Sequence, residues 1–142
     1  MDEFYNVASI ILLNKEGKFI LQKRDDKPGI RNPGMLSVWG GAVEGDEKPV
    51  EAAVREVREE TNLQPEGGDV HYLREYRRDY KVGDKQVVNH VFIIKDVDER
   101  TLEVYEGQGY QVVDPKTQTT DPLYTKLTAE LIKEYSLAKS LD

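Results

Sequence analysis

Three glutamates, Glu56, Glu59 and Glu60, stand close together where the apolar spacing is helical. Val50, Ala53, Val54 and Val57 recur at the spacing of one helix face, and Pro49 suits a first helical turn because its missing N–H costs nothing there. The spacing predicts a helix over about Pro49 to Thr61. At about 100° per residue, the three carboxylates fall within an arc of roughly 100°, away from the apolar stripe. Like charges at these spacings repel and oppose the helix that carries them. A divalent cation would remove that conflict, and carboxylate oxygens are the hard ligands that magnesium or manganese prefers. Taken alone, however, a run of glutamates on a helix is most often a solvated face.

The surrounding residues change that balance. Gly41, Glu47, Arg55, Glu56, Val57, Glu59, Glu60 and Leu63 follow one another at the spacing of a glycine, a glutamate and an Arg-Glu-apolar-any-Glu-Glu run. If each of about six fixed positions matched by chance about one time in 15, the coincidence would be on the order of 10⁻⁷ per start. The stretch resembles the box of the Nudix hydrolases. Asn62 stands where that pattern has glycine; since Asn tolerates a positive φ, it is expected to preserve the helix stop, and Asn62→Gly is expected to be nearly neutral.

The resemblance implies an α/β fold, an αβα sandwich with a mixed sheet, and metal-dependent hydrolysis of a P–O–P link using Mg²⁺, with Mn²⁺ as a substitute. By the same resemblance Glu59 and Glu60 match the principal metal ligands, and the Gly40 carbonyl matches a backbone ligand. Glu56 matches a glutamate that binds metal through water or acts as base. Arg55 matches an arginine that orients a catalytic glutamate, the alternative being a surface ion pair with Glu51. Glu47 matches a supporting position. Glu106, in Glu106-Gly107-Gln108-Gly109, looks like the loop glutamate that supplies a further ligand or base. The implied substrate is a nucleoside diphosphate linked to another moiety, cut to a monophosphate and phosphorylated X. The alternatives are a nucleoside triphosphate pyrophosphatase that removes damaged nucleotides, and a nucleotide sensor without turnover.

These residues need a scaffold. Residues 5–13 and 18–24 are β-prone around Asn14-Lys15-Glu16-Gly17, which reads as a hairpin, and 25–34 is a loop by its Pro and Gly content. Residues 70–80 alternate with period two, predicting a half-buried strand with Tyr72, Tyr76 and Tyr80 on one face. Residues 87–94 are nearly continuous in apolar side chains, as in a strand covered on both sides. The two form a hairpin across Gly83-Asp84. A short strand at 110–113 and a final helix entered at Asp121-Pro122, with Leu127, Leu131 and Tyr135 four residues apart, complete a sheet covered on both faces.

The chain has 142 residues, 38% hydrophobic and 33% charged, which fits a single domain over 1–142 with one core. No apolar run approaches the roughly 20 residues that span a bilayer. The start Met1-Asp2-Glu3-Phe4 lacks the pattern of a secretory signal and there are no cysteines, so a cytoplasmic location is expected. A net charge of -7 disfavours a nucleic-acid polymer as main partner and leaves small anions neutralised by a cation. A monomer or a homodimer is expected, the latter by resemblance only. Trp39 and Tyr80 read as packing, although a base could stack on the tryptophan. His71 and His90 lack ligand spacing, and Arg24 reads as a solvated strand-end anchor, the alternative being a phosphate contact.

Overall fold

The computed structural model describes residues 3–140. Met1 and Asp2, on which the reading of the N-terminus partly rests, and the last two residues of the 1–142 domain lie outside them. Among the described residues no helix is long and apolar enough to cross a membrane.

The chain opens with β1 (Phe4–Asn14), turns, and returns as β2 (Phe19–Lys23). Asn14 makes the turn: its Oδ1 accepts from the amides of Glu16 and Lys18, each at 2.9 Å. Two short strands follow, β3 (Leu36–Ser37) and β4 (Trp39–Ala42), then α1 (Pro49–Glu60). The long hairpin of β5 (His71–Val82) and β6 (Lys85–Val97) turns at Gly83-Asp84, and β7 (Tyr110–Val113) and α2 (Lys126–Ser140) complete the fold. The sheet runs β3-β2-β1-β6-β5, with β4 also paired to β1 and β7 to β2. Only β1 and β6 are parallel, which makes the sheet mixed as expected.

Alternation along β1 divides the core. Ala8, Ile10 and Leu12 face α1, where they meet Ala52, Ala53 and Val57. Ile11 and Leu13 face the other way, with Phe19, Leu131 and Ile132. Burying a side chain such as Val57, which is 0% exposed, is worth about 1.5–3 kcal/mol. That attachment holds a helix whose own carboxylates repel.

Several expectations fail in instructive places. The tyrosines of β5 do not share a face, because a bulge at Leu73 shifts the register between Tyr72 and Arg74. Tyr72 therefore stands opposite Phe92 on the α1 side, with ring centroids 5.6 Å apart, while Tyr76 joins the core on the α2 side. Strands β3 and β4 were not expected, being too short and glycine-rich to show alternation. The final helix starts at Lys126 rather than beside Pro122, because Asp121 accepts from the Leu123 amide at 2.8 Å in a turn of its own. Asn62 does not adopt a positive φ; the only such non-glycine residues described are Asn32 and Asp96. Helix α1 stops instead at Thr61, which is extended (φ -141°, ψ 172°) and bridges Val104.

Candidate active site

Arg55 is the hub of α1. Its Nε and Nη2 bind both Glu47 oxygens at 2.7 and 3.0 Å, Nη2 also reaches the Ala42 carbonyl at 3.0 Å, and Nη1 donates to Glu56 at 2.9 Å. It does not pair with Glu51, which accepts from the Lys48 amide at 2.7 Å and serves the helix start. The hydrogen bond from Arg55 holds the Glu47 carboxyl down at about 2, and Glu47 in turn raises the guanidinium further above its ordinary value. Arg55 is thus fixed from both sides, and the carboxylate it steadies is Glu56.

Glu60 is 2% exposed, an unusual position for a carboxylate. Burial, then the charges of Glu56 and Glu106, push its carboxyl up to about 8, opposed by the Gly40 amide, which donates to Oε1 at 3.1 Å. Burial also raises Glu56, against the pull of Arg55. Burial and the neighbouring carboxylates thus favour the protonated form of Glu60. Glu59 lies outside this pair, 57% exposed and 3.4 Å from Arg55 Nη1.

Two glycines let β4 pack closely, Gly40 against the backbone of β1 and Gly41 against Glu56 of α1. A Cβ on Gly40 would lie 1.9 Å from the Ala8 carbonyl oxygen, and one on Gly41 would lie 2.3 Å from Glu56 Oε1. Close backbone approach, rather than turn formation, is their role here.

Glu106 arrives from the segment after β6. The helix end ties that segment down: Asn62 Nδ2 donates to the Thr101 carbonyl at 3.0 Å, and its Oδ1 accepts from the Glu103 amide at 2.8 Å. The Tyr105 amide reaches the Glu60 carbonyl at 2.8 Å. Glu60, Glu106 and Gly40 then line one cleft of about 180 Å³. Of the expected site residues, the fold brings together Gly40, Arg55, Glu56, Glu60 and Glu106, and leaves Glu59 at the rim.

Among the described residues no group of three or more His, Cys, Asp or Glu side chains forms a metal-holding cluster. The donor chemistry nevertheless fits a hard cation. Two neighbouring carboxyls that burial raises, a third within electrostatic reach and a guanidinium already engaged by Glu47 form a site short of positive charge. Magnesium completes such a partial shell with water and phosphate oxygens.

A second cavity, of about 410 Å³, adjoins the cleft and shares Gln22, Arg24 and Gly40 with it. It lies on the α2 side of the sheet, lined by Ser9, Asn89, Arg78, Tyr80 and the first residues of α2. Sequence reasoning missed most of these residues. Their signal was the set of polar interruptions, Ser9, Gln22 and Asn89, in strands otherwise apolar. Tyr80 is not packed away but 41% exposed at the cavity wall, with Arg31 5.9 Å from its ring centre. Arg24 is more than an anchor: it lines both spaces and has no carboxylate partner among the described residues. Trp39 is 1% exposed and donates to the Ile20 carbonyl at 2.8 Å, as packing requires. His90 meets Asn6 Oδ1 at 2.8 Å, and burial holds its imidazole below the ordinary value.

Comparison with known proteins bears on the fold and the family. An RNA pyrophosphohydrolase of Gluconacetobacter diazotrophicus is 40% identical over 58 residues, which are 39% of this chain and 34% of that protein. The matched stretch therefore spans about a third of its length. Among solved structures, the MutT protein from Methanosarcina mazei Go1 superposes with a TM-score of 0.76 at 21% identity, covering 96% of this chain and 95% of its own. The E. coli dihydroneopterin triphosphate pyrophosphohydrolase superposes with a TM-score of 0.70 at 17% identity, covering 95% and 98%. At such identities these structures show the shared fold. The NUDIX domain profile matches residues 4–130, so this chain belongs to the Nudix family.

Proposed function

We propose that the chain is a divalent-metal-dependent pyrophosphohydrolase that cleaves a nucleoside diphosphate linked to another moiety, giving a nucleoside monophosphate and phosphorylated X. The observation that carries this reading is the meeting of Glu60, Glu106 and Gly40 in one cleft, with Glu56 acting on Glu60 and with a larger cavity beside it that shares Gln22, Arg24 and Gly40. A diphosphate in the cleft would have room for an organic group next door.

Glu56, Glu59, Glu60, Glu106 and the Gly40 carbonyl are the residues that would hold Mg²⁺ or Mn²⁺. The cation supplies neutralisation of phosphate oxygens and acidification of a water. Arg55 keeps Glu56 oriented, and Arg24 with Arg31 offers guanidinium N–H groups to the phosphate chain. Water adds to phosphorus, the bridging P–O bond breaks, and the water proton passes to Glu56 or Glu106.

The triphosphate reading uses the same cleft, and the relative named an RNA pyrophosphohydrolase raises RNA as a further substrate. The net charge of -7 disfavours the polymer. A panel with Mg²⁺ separates them: dinucleotides and nucleotide sugars, nucleoside triphosphates, and 5′-triphosphorylated RNA, with products resolved by ion-exchange chromatography. The proposal expects the highest kcat/KM on the first class. Faster cleavage of triphosphates or RNA ends overturns the substrate assignment, and nucleotide binding without turnover of any substrate favours the sensor.

A further inference from the structure

The larger cavity contains a buried acceptor with no partner. Asn89 lines the cavity, is 6% exposed, and donates from Nδ2 to Ser9 Oγ at 3.1 Å; its Oδ1 is the sole buried side-chain N or O atom without a hydrogen bond among the described residues. Such groups are rare in native proteins and mark an absent partner when they border a cavity. The backbone that carries it is also well fixed. Asn89 pairs through its backbone with Val7 of β1 and Tyr76 of β5, at the centre of the sheet.

The walls suit a flat ring. Tyr80 presents a partly exposed ring with Arg31 over one side, and Val7, Val38 and Leu127 add apolar surface. Arg78 stands beside them, 6% exposed and neutralised by Glu130 at 2.7 Å, so it contributes donors without a free charge. Gly40 joins this space to the carboxylate cleft.

We propose that this cavity takes the nucleobase, and that Asn89 Oδ1 accepts a hydrogen bond from its exocyclic amino group, so that bases carrying such an amine, adenine and cytosine among them, are selected over bases lacking it. The inference rests on the nucleotide reading above and assigns the ring and the atom that reads it. An amino group projects beyond its ring and reaches a recessed acceptor. A keto oxygen in the same place would set two acceptors against each other where water cannot relieve them. A site built around a buried polar group rejects a ligand that leaves it unpaired.

The test is equilibrium binding, by calorimetry in Mg²⁺ buffer, of AMP against purine riboside 5′-monophosphate and of CMP against UMP. Wild type is expected to prefer the amino member of each pair by roughly 10-fold, the worth of one hydrogen bond. Asn89→Leu is expected to lose the preference, and Asn89→Asp, which keeps an acceptor, to retain it. Should Asn89→Leu fail to fold, the wild-type and Asn89→Asp measurements still decide. Equal binding within each pair, or a preference for UMP over CMP, overturns the proposal. So does selectivity that survives Asn89→Leu. The preference does not depend on turnover, so selective binding without hydrolysis would fail the enzyme reading alone, and hydrolysis without selectivity would fail this one.

Discussion

The two faces of the sheet are built by different rules. On the α1 side, the site side chains come mostly from one segment, and Arg55 links Glu47, Glu56 and Glu59 within it. On the α2 side, the cavity draws Ser9, Gln22, Arg78 and Asn89 from four strands and its rim from the start of α2. Helix α2 is held to β5 by Arg78–Glu130 and by a hydrogen bond from Tyr76 to Glu134. The contrast teaches that reaction chemistry can be concentrated in a short local motif, whereas the shape that selects a ligand emerges only when distant strands meet.

If the faces divide chemistry from recognition, substitutions on each should damage different quantities. The largest effect belongs to Glu60→Gln, which removes charge but keeps an acceptor for the Gly40 amide. We expect kcat to fall by roughly 10² or more with the circular dichroism spectrum unchanged. EDTA should abolish turnover and Mg²⁺ should restore it. Arg78→Met, on the other face, should raise KM with little change in kcat. Steady-state kinetics of both variants would break the comparison if the two patterns were exchanged.

The glycine pair sharpens it next. In Gly40→Ala the new Cβ strikes the Ala8 backbone at a φ of +142°, so the loss should be in folding, about 3 kcal/mol or more by urea titration. In Gly41→Ala the obstacle is the end of the Glu56 side chain, which can swing away. Stability should then survive while kcat drops roughly 10-fold.

Asn62→Gly tests the tie between helix and loop. The loss of two hydrogen bonds from a partly solvated side chain should cost about 1 kcal/mol and lower kcat a few-fold by loosening Glu106. Unchanged stability and turnover would restore the simpler view of a helix stop.

A separate effect concerns pH. The Glu60 carboxyl titrates near 4.5 when unfolded and near about 8 when folded without metal, so the folded state binds the proton more tightly. Metal-free protein should therefore lose stability as pH rises from about 5 to about 8. Melting temperatures in EDTA should show that decline, and it should flatten in Glu60→Gln or with Mg²⁺. An equal slope in all three samples would remove Glu60 as its source.

Much of the α1 face was legible because its information is local. Helix α1, the β5–β6 hairpin and β7 fall where pattern and turn residues place them. Arg55 needed coordinates: its nearest partners include Glu47 before the helix and not Glu51 within it. Asn62 was misread for a related reason, since its side-chain partners lie on a segment some forty positions downstream. The tyrosines of β5 misled because one bulged residue reverses alternation without leaving a mark in composition. The cavity was the least legible, as buried polar residues are sparse and acquire meaning only when neighbouring strands align them.

The parallel pairing of β1 with β6 bears on how the chain acquires this structure. Phe4 sits beside Gln86 and Leu12 beside Ile94, so the central ladder cannot close until most of the chain has been synthesised. Such long-range pairing carries a large loop-closure cost and slows folding. During synthesis α1 emerges with its repelling glutamates before β6 is there to complete the sheet beneath it. Formation of the β1–β6 ladder is thus the step that commits the chain to both faces at once, and substitutions along it should slow refolding more than those in α2.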